Sequence, residues 1–300
     1  MRSAAVRKSG FESGAGGSAC LKYIFGLLLF GSNGVVASVI SLSSHEIVLL
    51  RSVIGGLVLL ALFLAMGGRF TALRNRRDLG WILLSGAAMA ADWLFLFEAY
   101  DEIGVSLGMM INYCGPAVVI VLSPLVLGER LTRTKVIALA AAFSGSMLIS
   151  VQGVRSGMSL WGIFCAGMSA IAYACMVLSD KKVLQIKGTE NAVLQLLAAA
   201  AAVMAFELCC NGMNIRIDAG DWPAILWLAV INTGLGCFLY FSSIGSLPAS
   251  TVAVCGYIEP LTAVLLSALL LGESMSAMQI VGSGLIIGGA AFGELKGRHS

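Results

Sequence analysis

The sequence predicts an all-α polytopic membrane protein, with ten transmembrane helices arranged as two inverted five-helix repeats. Three observations carry that expectation. Of 300 residues, 58% are hydrophobic and only 12% are charged, about half the charged share of a soluble domain. That is too few charges to coat a water-facing surface. The charges also cluster, leaving apolar runs of about twenty residues, long enough to cross ~30 Å of hydrocarbon at 1.5 Å per residue. Finally, one stretch occurs twice. VLSPLVLGER at 121–130 returns as LLSALLLGES at 265–274. Between Tyr113–Glu129 and Tyr257–Glu273, eight of seventeen positions are identical, all at an offset of 144. Glu46/Glu190 and Ser106/Ser250 share that offset. Two copies at so long a period indicate a duplicated half rather than a solenoid.

Taken in order, residues 1–20 are Gly- and Ser-rich with three basic residues, and are expected to form a cytoplasmic tail without fixed structure. The apolar run from Leu21 to Ile40 is longer than a typical signal-peptide core and no small-x-small cleavage site follows it, so it is read as a span. The spans are placed at 21–41, 46–66, 79–99, 103–127, 134–152, 159–179, 190–210, 223–243, 248–271 and 277–294, with a short cytoplasmic tail at 295–300. The first repeat is then 21–152 and the second 159–294.

Direction follows from Lys and Arg. With the N-terminus inside, inside segments hold Arg2, Arg7, Lys8, Lys22, Arg69, Arg74, Arg76, Arg77, Arg130, Arg133, Lys135, Lys181, Lys182, Lys187, Lys296 and Arg298. Outside segments hold only Arg155 and Arg216, and Arg51 lies within a span. Both termini fall on the cytoplasmic side, and the basic residues are expected to orient the chain rather than bind nucleic acid. Because each half has an odd number of spans, the second enters the membrane upside down, the arrangement of secondary transporters with a site near the midplane.

Eight cysteines fall almost wholly within apolar runs, without C-x-x-C or metal-ligand spacing, and read as small apolar filler. No metal or cofactor site is expected. The two histidines, His45 and His299, lie in a loop and at the C-terminus. No catalytic set at membrane depth is visible, so an enzyme is not expected.

Ionisable and polar residues within spans are the candidates for function. Arg51 lies roughly 8 Å from the outer end of its helix. It is read either as the partner of Glu98, locking the second and third helices, or as a carboxylate-binding or gating residue. Its counterpart in the second half is Gln195. Asp92, roughly 13 Å from the outer end, and Glu259, before Pro260, are candidates for proton coupling; alternatively each carboxyl is satisfied by neighbouring polar groups. Pro116 and Pro260 hold matching mid-helix positions, where loss of an N–H bond predicts kinks. Asn112 and Tyr113 precede the first, Tyr257 and Glu259 the second. Ser32, Asn33, Trp93, Tyr173 and Asn232 share the middle depth, as cavity lining or as interhelical glue. Gly284/Gly288 and Gly289/Gly293 are spaced for close helix packing, within the chain or at a homodimer face. Glu129 and Glu273 are read as span-end residues.

These residues resemble the EamA-type branch of the drug/metabolite transporter superfamily. The likeness rests on FGSNGVVAS in the first span, EIVLLR ending in Arg51, the two Pro…LGE blocks, and WGIFCAGMSAIAYACMVLSDKK opening the second half. It implies ten helices in two inverted repeats, a central cavity, and transport of a small metabolite in a bacterial inner membrane. The expected partners are a small-molecule substrate and the lipid bilayer. The binding set is Ser32, Asn33, Arg51, Asp92, Trp93, Glu98, Asn112, Tyr113, Tyr173, Asn232, Tyr257 and Glu259. One arginine with one or two carboxylates suits a zwitterionic, amino-acid-like compound. A non-transporting receptor on the same fold is the alternative.

Overall fold

Long apolar runs without proline become helices, because a chain in lipid must satisfy its backbone internally. A computed structural model describes residues 2–37, 39–71, 75–103, 105–129, 132–150, 159–210, 215–270 and 277–297. Among these, all regular structure is helical: α1 (Arg2–Gly31), α2 (Asn33–Ala37), α3 (Ser44–Ala65), α4 (Arg76–Ile103), α5 (Val105–Asn112), α6 (Gly115–Leu127), α7 (Arg133–Ser150), α8 (Leu160–Asp180), α9 (Thr189–Cys210), α10 (Trp222–Leu226), a π-helical stretch (Trp227–Leu235), α11 (Gly236–Ile244), α12 (Ala249–Gly256), α13 (Ile258–Leu270) and α14 (Ala277–Gly297).

Among the described residues, six stretches are long and apolar enough to cross a membrane: Gly17–Ala37, Ser44–Ala65, Arg76–Ile103, Leu160–Asp180, Thr189–Cys210 and Trp222–Ile244. They coincide within a few residues with the expected first, second, third, sixth, seventh and eighth spans. Residues 1–20 differ from expectation, since α1 is helical from Arg2. No proline interrupts 2–20, and each glycine weakens a helix by only about 1 kcal/mol, so the helix propagates back from its apolar part. The short turn before α3 is fixed by its own cap: the Glu46 carboxylate accepts the Ser43 backbone N–H at 2.9 Å.

The fourth and ninth expected spans are each two helices. Proline lacks the N–H that would bond the carbonyl four residues earlier. For Pro116 and Pro260 those carbonyls belong to Asn112 and Gly256, the last residues of α5 and α12. The expected kinks are therefore breaks, at Tyr113–Cys114 and at Tyr257, and Pro116 sits in the first turn of α6, where a missing N–H costs nothing. Pro124, inside α6, is tolerated differently. The carbonyl it leaves unpaired is Ile120's, which accepts from Ser123 Oγ at 3.1 Å. α6 ends at Gly128, in the left-handed region at φ 70°.

The two halves pack by exchange. α4 lies against α8 as α11 lies against α1, α4 against α9 as the π-helical stretch against α3, and α6 against α8 as α13 against α1. The exchange holds residue by residue at the offset of 144. A Cβ on Gly145 of α7 would strike the Gly282 carbonyl of α14, while one on Gly289 would stand 2.8 Å from the Ala138 carbonyl. Position 145 corresponds to 289 and 138 to 282. To within one residue the same holds of Gly86, whose Cβ would meet Ala198 Cβ at 2.5 Å, and of Gly55, whose Cβ would meet the Ala229 carbonyl at 2.5 Å. When i meets j as j meets i, the interface has twofold character.

Only part of the expected glycine spacing in α14 makes contact. A Cβ on Gly284 or Gly288 would meet nothing within 4 Å, and the Gly293 position lies outside the described side chains. Gly289→Leu is therefore expected to cost about 1–3 kcal/mol through overpacking and lower the melting temperature. Gly288→Leu, one residue away, should leave it unchanged or slightly raised. Thermal unfolding of the two purified variants reads the difference.

Candidate functional site

Both helix breaks face one pocket at the junction of the halves. Asn33 of α2, Arg51 of α3, Asp92 and Trp93 of α4, and Asn112, Tyr113 and Pro116 around the first break line it from one half. Tyr173 of α8, Tyr240 and Phe241 of α11, and Gly256 and Glu259 around the second break line it from the other. Leu27, Phe30, Met89, Leu96 and Met176 complete the wall. The free space, open solvent at the mouth included, is about 740 Å³. Its mixed lining, apolar with a few polar groups, is typical of small-molecule sites.

The polar groups divide into those already bonded and those free for a ligand. Asp92 is buried and bonded: its Oδ1 accepts from Asn112 Nδ2 at 3.0 Å and from Ser169 Oγ at 2.6 Å. Asn112 Nδ2 also reaches Ser169 Oγ at 2.5 Å. Arg51 is buried, 6% exposed, with its guanidinium carbon 4.2 Å from the centre of the Trp93 ring, a cation–π stack. Among the described residues neither the Arg51 guanidinium nor the Glu259 carboxylate has a hydrogen-bond or ion-pair partner. One pocket thus holds a cation and an anion that feel each other's field without forming a direct ion pair.

Four expected lining residues serve elsewhere. Glu98 does not pair with Arg51; its Oε1 accepts from Trp161 Nε1 at 2.9 Å. Helix geometry explains the correction. At 100° per residue, Met89, Asp92, Trp93 and Leu96 share one face of α4, and Glu98 points to the opposite one. Asn232 is fully buried and splints the α1–α2 break, donating to the Leu29 carbonyl at 3.1 Å, Ser32 Oγ at 2.8 Å and Asn33 Oδ1 at 3.0 Å. Ser32 Oγ itself donates to the Leu29 carbonyl at 2.7 Å. Tyr257 is also off the wall. Its hydroxyl donates to the Tyr113 carbonyl at 2.9 Å and ties one break to the other. Pro260 lies in the first turns of α13, behind the wall residue Glu259.

Other functional groups escaped the sequence reading. Ser169 stands one turn before Tyr173 on the same face of α8, a spacing that would have exposed it. The sequence reading treats Glu129 as a span end and does not single out Asp78 or Asp221, yet all three carboxylates tie one half to the other. Asp78 Oδ2 accepts backbone N–H groups of Leu184, Gln185 and Ile186 at 3.1, 2.6 and 3.2 Å. Asp221 Oδ2 accepts Ser41 N–H at 3.1 Å. Glu129 caps α12 through Ala249 N–H at 3.0 and 3.1 Å; its repeat counterpart Glu273 lies outside the described residues. At the same end as Asp78, Lys181 Nζ donates to the Ile244 and Leu247 carbonyls and Lys182 Nζ to that of Val126.

Comparison with known proteins agrees with this architecture. A solved crystal structure superposes with a TM-score of 0.81 at 20% identity, over 94% of this chain and 99% of the other, which shows a shared fold. The uncharacterized transporter YxxF of Bacillus subtilis is 25% identical over 279 residues, 91% of this chain and 88% of the relative. The uncharacterized inner membrane transporter YicL of Salmonella typhimurium is 24% identical over 294 residues, 93% and 96% of the two chains. A probable amino-acid metabolite efflux pump of Salmonella typhimurium is 28% identical over 182 residues, 56% of this chain and 60% of the relative. The pattern of the EamA-like transporter family matches twice, at residues 17–151 and 160–292, so each half carries one copy. This chain is a multi-pass membrane protein that belongs to the EamA-like transporter family.

Proposed function

We propose that the protein is a secondary active transporter, working as an exporter of a small, amino-acid-like metabolite by alternating access around the junction pocket. The observation that carries this reading is the pocket's unspent pair of charges. A zwitterion would place its carboxylate on Arg51 and its ammonium on Glu259, and so satisfy both at once. The printed name of the efflux-pump relative points the same way.

In this reading the chain crosses a bacterial inner membrane ten times with both termini cytoplasmic, each broken span counting once. The halves are inverted, so the exchange-related contacts supply two end states of similar energy. The lysine-rich ends, bound through Asp78, Glu129, Lys181 and Lys182, form the closed inner side of the present state. Coupling to a proton gradient runs through Asp92 or Glu259, the two carboxylates facing the pocket.

Flux into proteoliposomes of purified protein tests this. A panel of labelled amino acids, nucleosides and cationic drugs would be offered with and without an imposed pH gradient. Uptake of amino-acid-like compounds is expected, enhanced by the gradient, with the enhancement lost in Asp92→Asn or Glu259→Gln. Gradient enhancement surviving in both variants would remove the carboxylates from coupling. Flux of another class alone would overturn the substrate assignment, and no flux of any compound would favour a receptor.

A further inference from the structure

A second buried polar cluster lies just beyond the pocket, at the C-terminal end of α8. Asp180 Oδ1 accepts from Asn191 Nδ2 of α9 at 2.7 Å and from Gln195 Nε2 at 2.6 Å. Asp180, Asn191 and Gln195 are 1%, 4% and 0% exposed. Three oxygens of this cluster, Asp180 Oδ2, Asn191 Oδ1 and Gln195 Oε1, are buried without a hydrogen-bond donor among the described residues. The cluster is thus rich in acceptors and carries one negative charge.

That charge is only partly balanced. The Lys181 ammonium follows Asp180 directly and its field reaches the carboxylate, but its hydrogen bonds go to the Ile244 and Leu247 carbonyls. Lys182 donates to the Val126 carbonyl and Glu129 accepts Ala249 N–H. No ion pair to Asp180 occurs among the described residues. An unpaired buried carboxylate is costly, and its position at the negative end of the α8 dipole makes it more so. The Phe241 carbonyl, 3.4 Å from Asn191 Nδ2, adds a further oxygen to the neighbourhood.

The fold does not require this cluster. At the offset of 144, Asp180, Asn191 and Gln195 correspond to Val36, Ile47 and Arg51. The first half builds the same corner without the acceptors, which points to a purpose other than folding in the second.

We propose that Asp180, Asn191 and Gln195 form a binding site for a small hard monovalent cation of the Na+ class. One carboxylate with amide and backbone carbonyl oxygens is a ligand set for hard cations. A cation would neutralise the charge and give the cluster's orphan oxygens a partner without adding an acceptor. The site adjoins the pocket, since Met176, one turn before Asp180, and Phe241 both line it. A bound cation would draw together α8, α9 and α11 behind that wall. The proposal stands apart from the transport reading, because cation binding is measurable without flux.

The test is equilibrium binding of radioactive sodium to the purified full chain in detergent, with choline as the balancing ion, together with thermal unfolding. Saturable binding of one Na+ per chain is expected, with a rise in melting temperature that choline does not produce. Asp180→Asn and Gln195→Leu should each weaken binding at least roughly tenfold, as loss of ligand-shell groups does. Both should fold, because Asp180→Asn removes an unpaired charge and Gln195→Leu is similar in size. Asp92→Asn and Glu259→Gln should bind Na+ as the wild type does. No saturable binding would overturn the site, as would binding kept in both Asp180→Asn and Gln195→Leu. Binding lost in Asp92→Asn but retained in Asp180→Asn would move it to the pocket and overturn it equally.

Discussion

Asp78→Ala is expected to destabilise the protein by about 2–4 kcal/mol and to release the turn between α8 and α9. The Asp78 side chain is 2% exposed, and one of its oxygens takes three successive backbone N–H groups, those of Leu184, Gln185 and Ile186. Successive N–H groups converging on an anion form a concave site whose strength depends on the charge. Removing the carboxylate orphans all three donors at once. The cost stays below three full charge-assisted bonds because Leu184 and Gln185 lie at the surface, where water replaces part of what is lost. Asp78→Asn keeps an acceptor but not the charge, so it should cost roughly half as much. Thermal unfolding gives the stability. Hydrogen exchange gives the location: the amides of 184–186 should exchange faster in Asp78→Ala, while those of α3 keep their wild-type rates. If the amides of 184–186 stay protected, the latch is not what holds the turn.

Asp221 makes this prediction more specific. It opens α10 as Asp78 opens the apolar part of α4, and it takes Ser41 N–H where Asp78 takes the turn centred on Gln185. Positions 41 and 185 are 144 apart. Each half thus offers a carboxylate to the first connection of the other, at opposite ends of the molecule. Among the described residues the Asp78 end has three donors and the Asp221 end one, so Asp221→Ala is expected to cost roughly a third as much. The alternating access proposed above requires one end to loosen while the other holds, and unequal latching at the two ends is what that proposal expects.

Much of the architecture was legible in the sequence because membranes reward a simple property, the length of an apolar run. α3, α8 and α9 fall within two residues of the spans read from composition. The prolines gave the breaks, and the offset of 144 gave the partners Gly145–Gly282 and Gly289–Ala138 once helix packing was known. The pocket was partly legible, because polar residues at depth are rare enough to be noticed. Asn33, Arg51, Asp92, Trp93, Asn112, Tyr113, Tyr173 and Glu259 all reach its wall. The remainder was hidden for two physical reasons. Depth along a helix does not give direction around it, which is how Glu98, Ser32 and Asn232 were misplaced. An acid near a helix end also looks alike whether it faces water or caps a turn a hundred residues away, so Asp78 and Asp221 passed unnoticed. Leu27, Met89 and Met176 carried no signal, since an apolar residue in an apolar helix reads the same facing lipid or a cavity.

Arg51→Leu is expected to abolish transport and to raise the melting temperature, and the opposing signs are what make the variant informative. A structural arginine would be held by carboxylates or carbonyls, and its loss would orphan them at a cost of several kcal/mol. Among the described residues Arg51 has no such hydrogen-bonded or ion-paired partner. It is buried, its Nε lacks an acceptor, and its recorded contact is the face of Trp93. A buried charge so poorly compensated weakens the fold, and replacement by leucine removes that penalty. Its value lies with the ligand: truncating one member of a desolvated charge pair costs about 2–5 kcal/mol of binding, a loss of at least roughly thirtyfold in flux at low substrate. Arg51→Lys should fall between, because lysine keeps the charge but loses the planar fork that grips a carboxylate and stacks on Trp93. Flux into proteoliposomes, set beside thermal unfolding of the same preparations, reads both quantities. A fall in stability with flux preserved would make Arg51 a brace between α3 and α4. A rise in stability with flux lost would identify a charge kept unsatisfied for a passing substrate, the compromise between stability and activity expected of a binding residue.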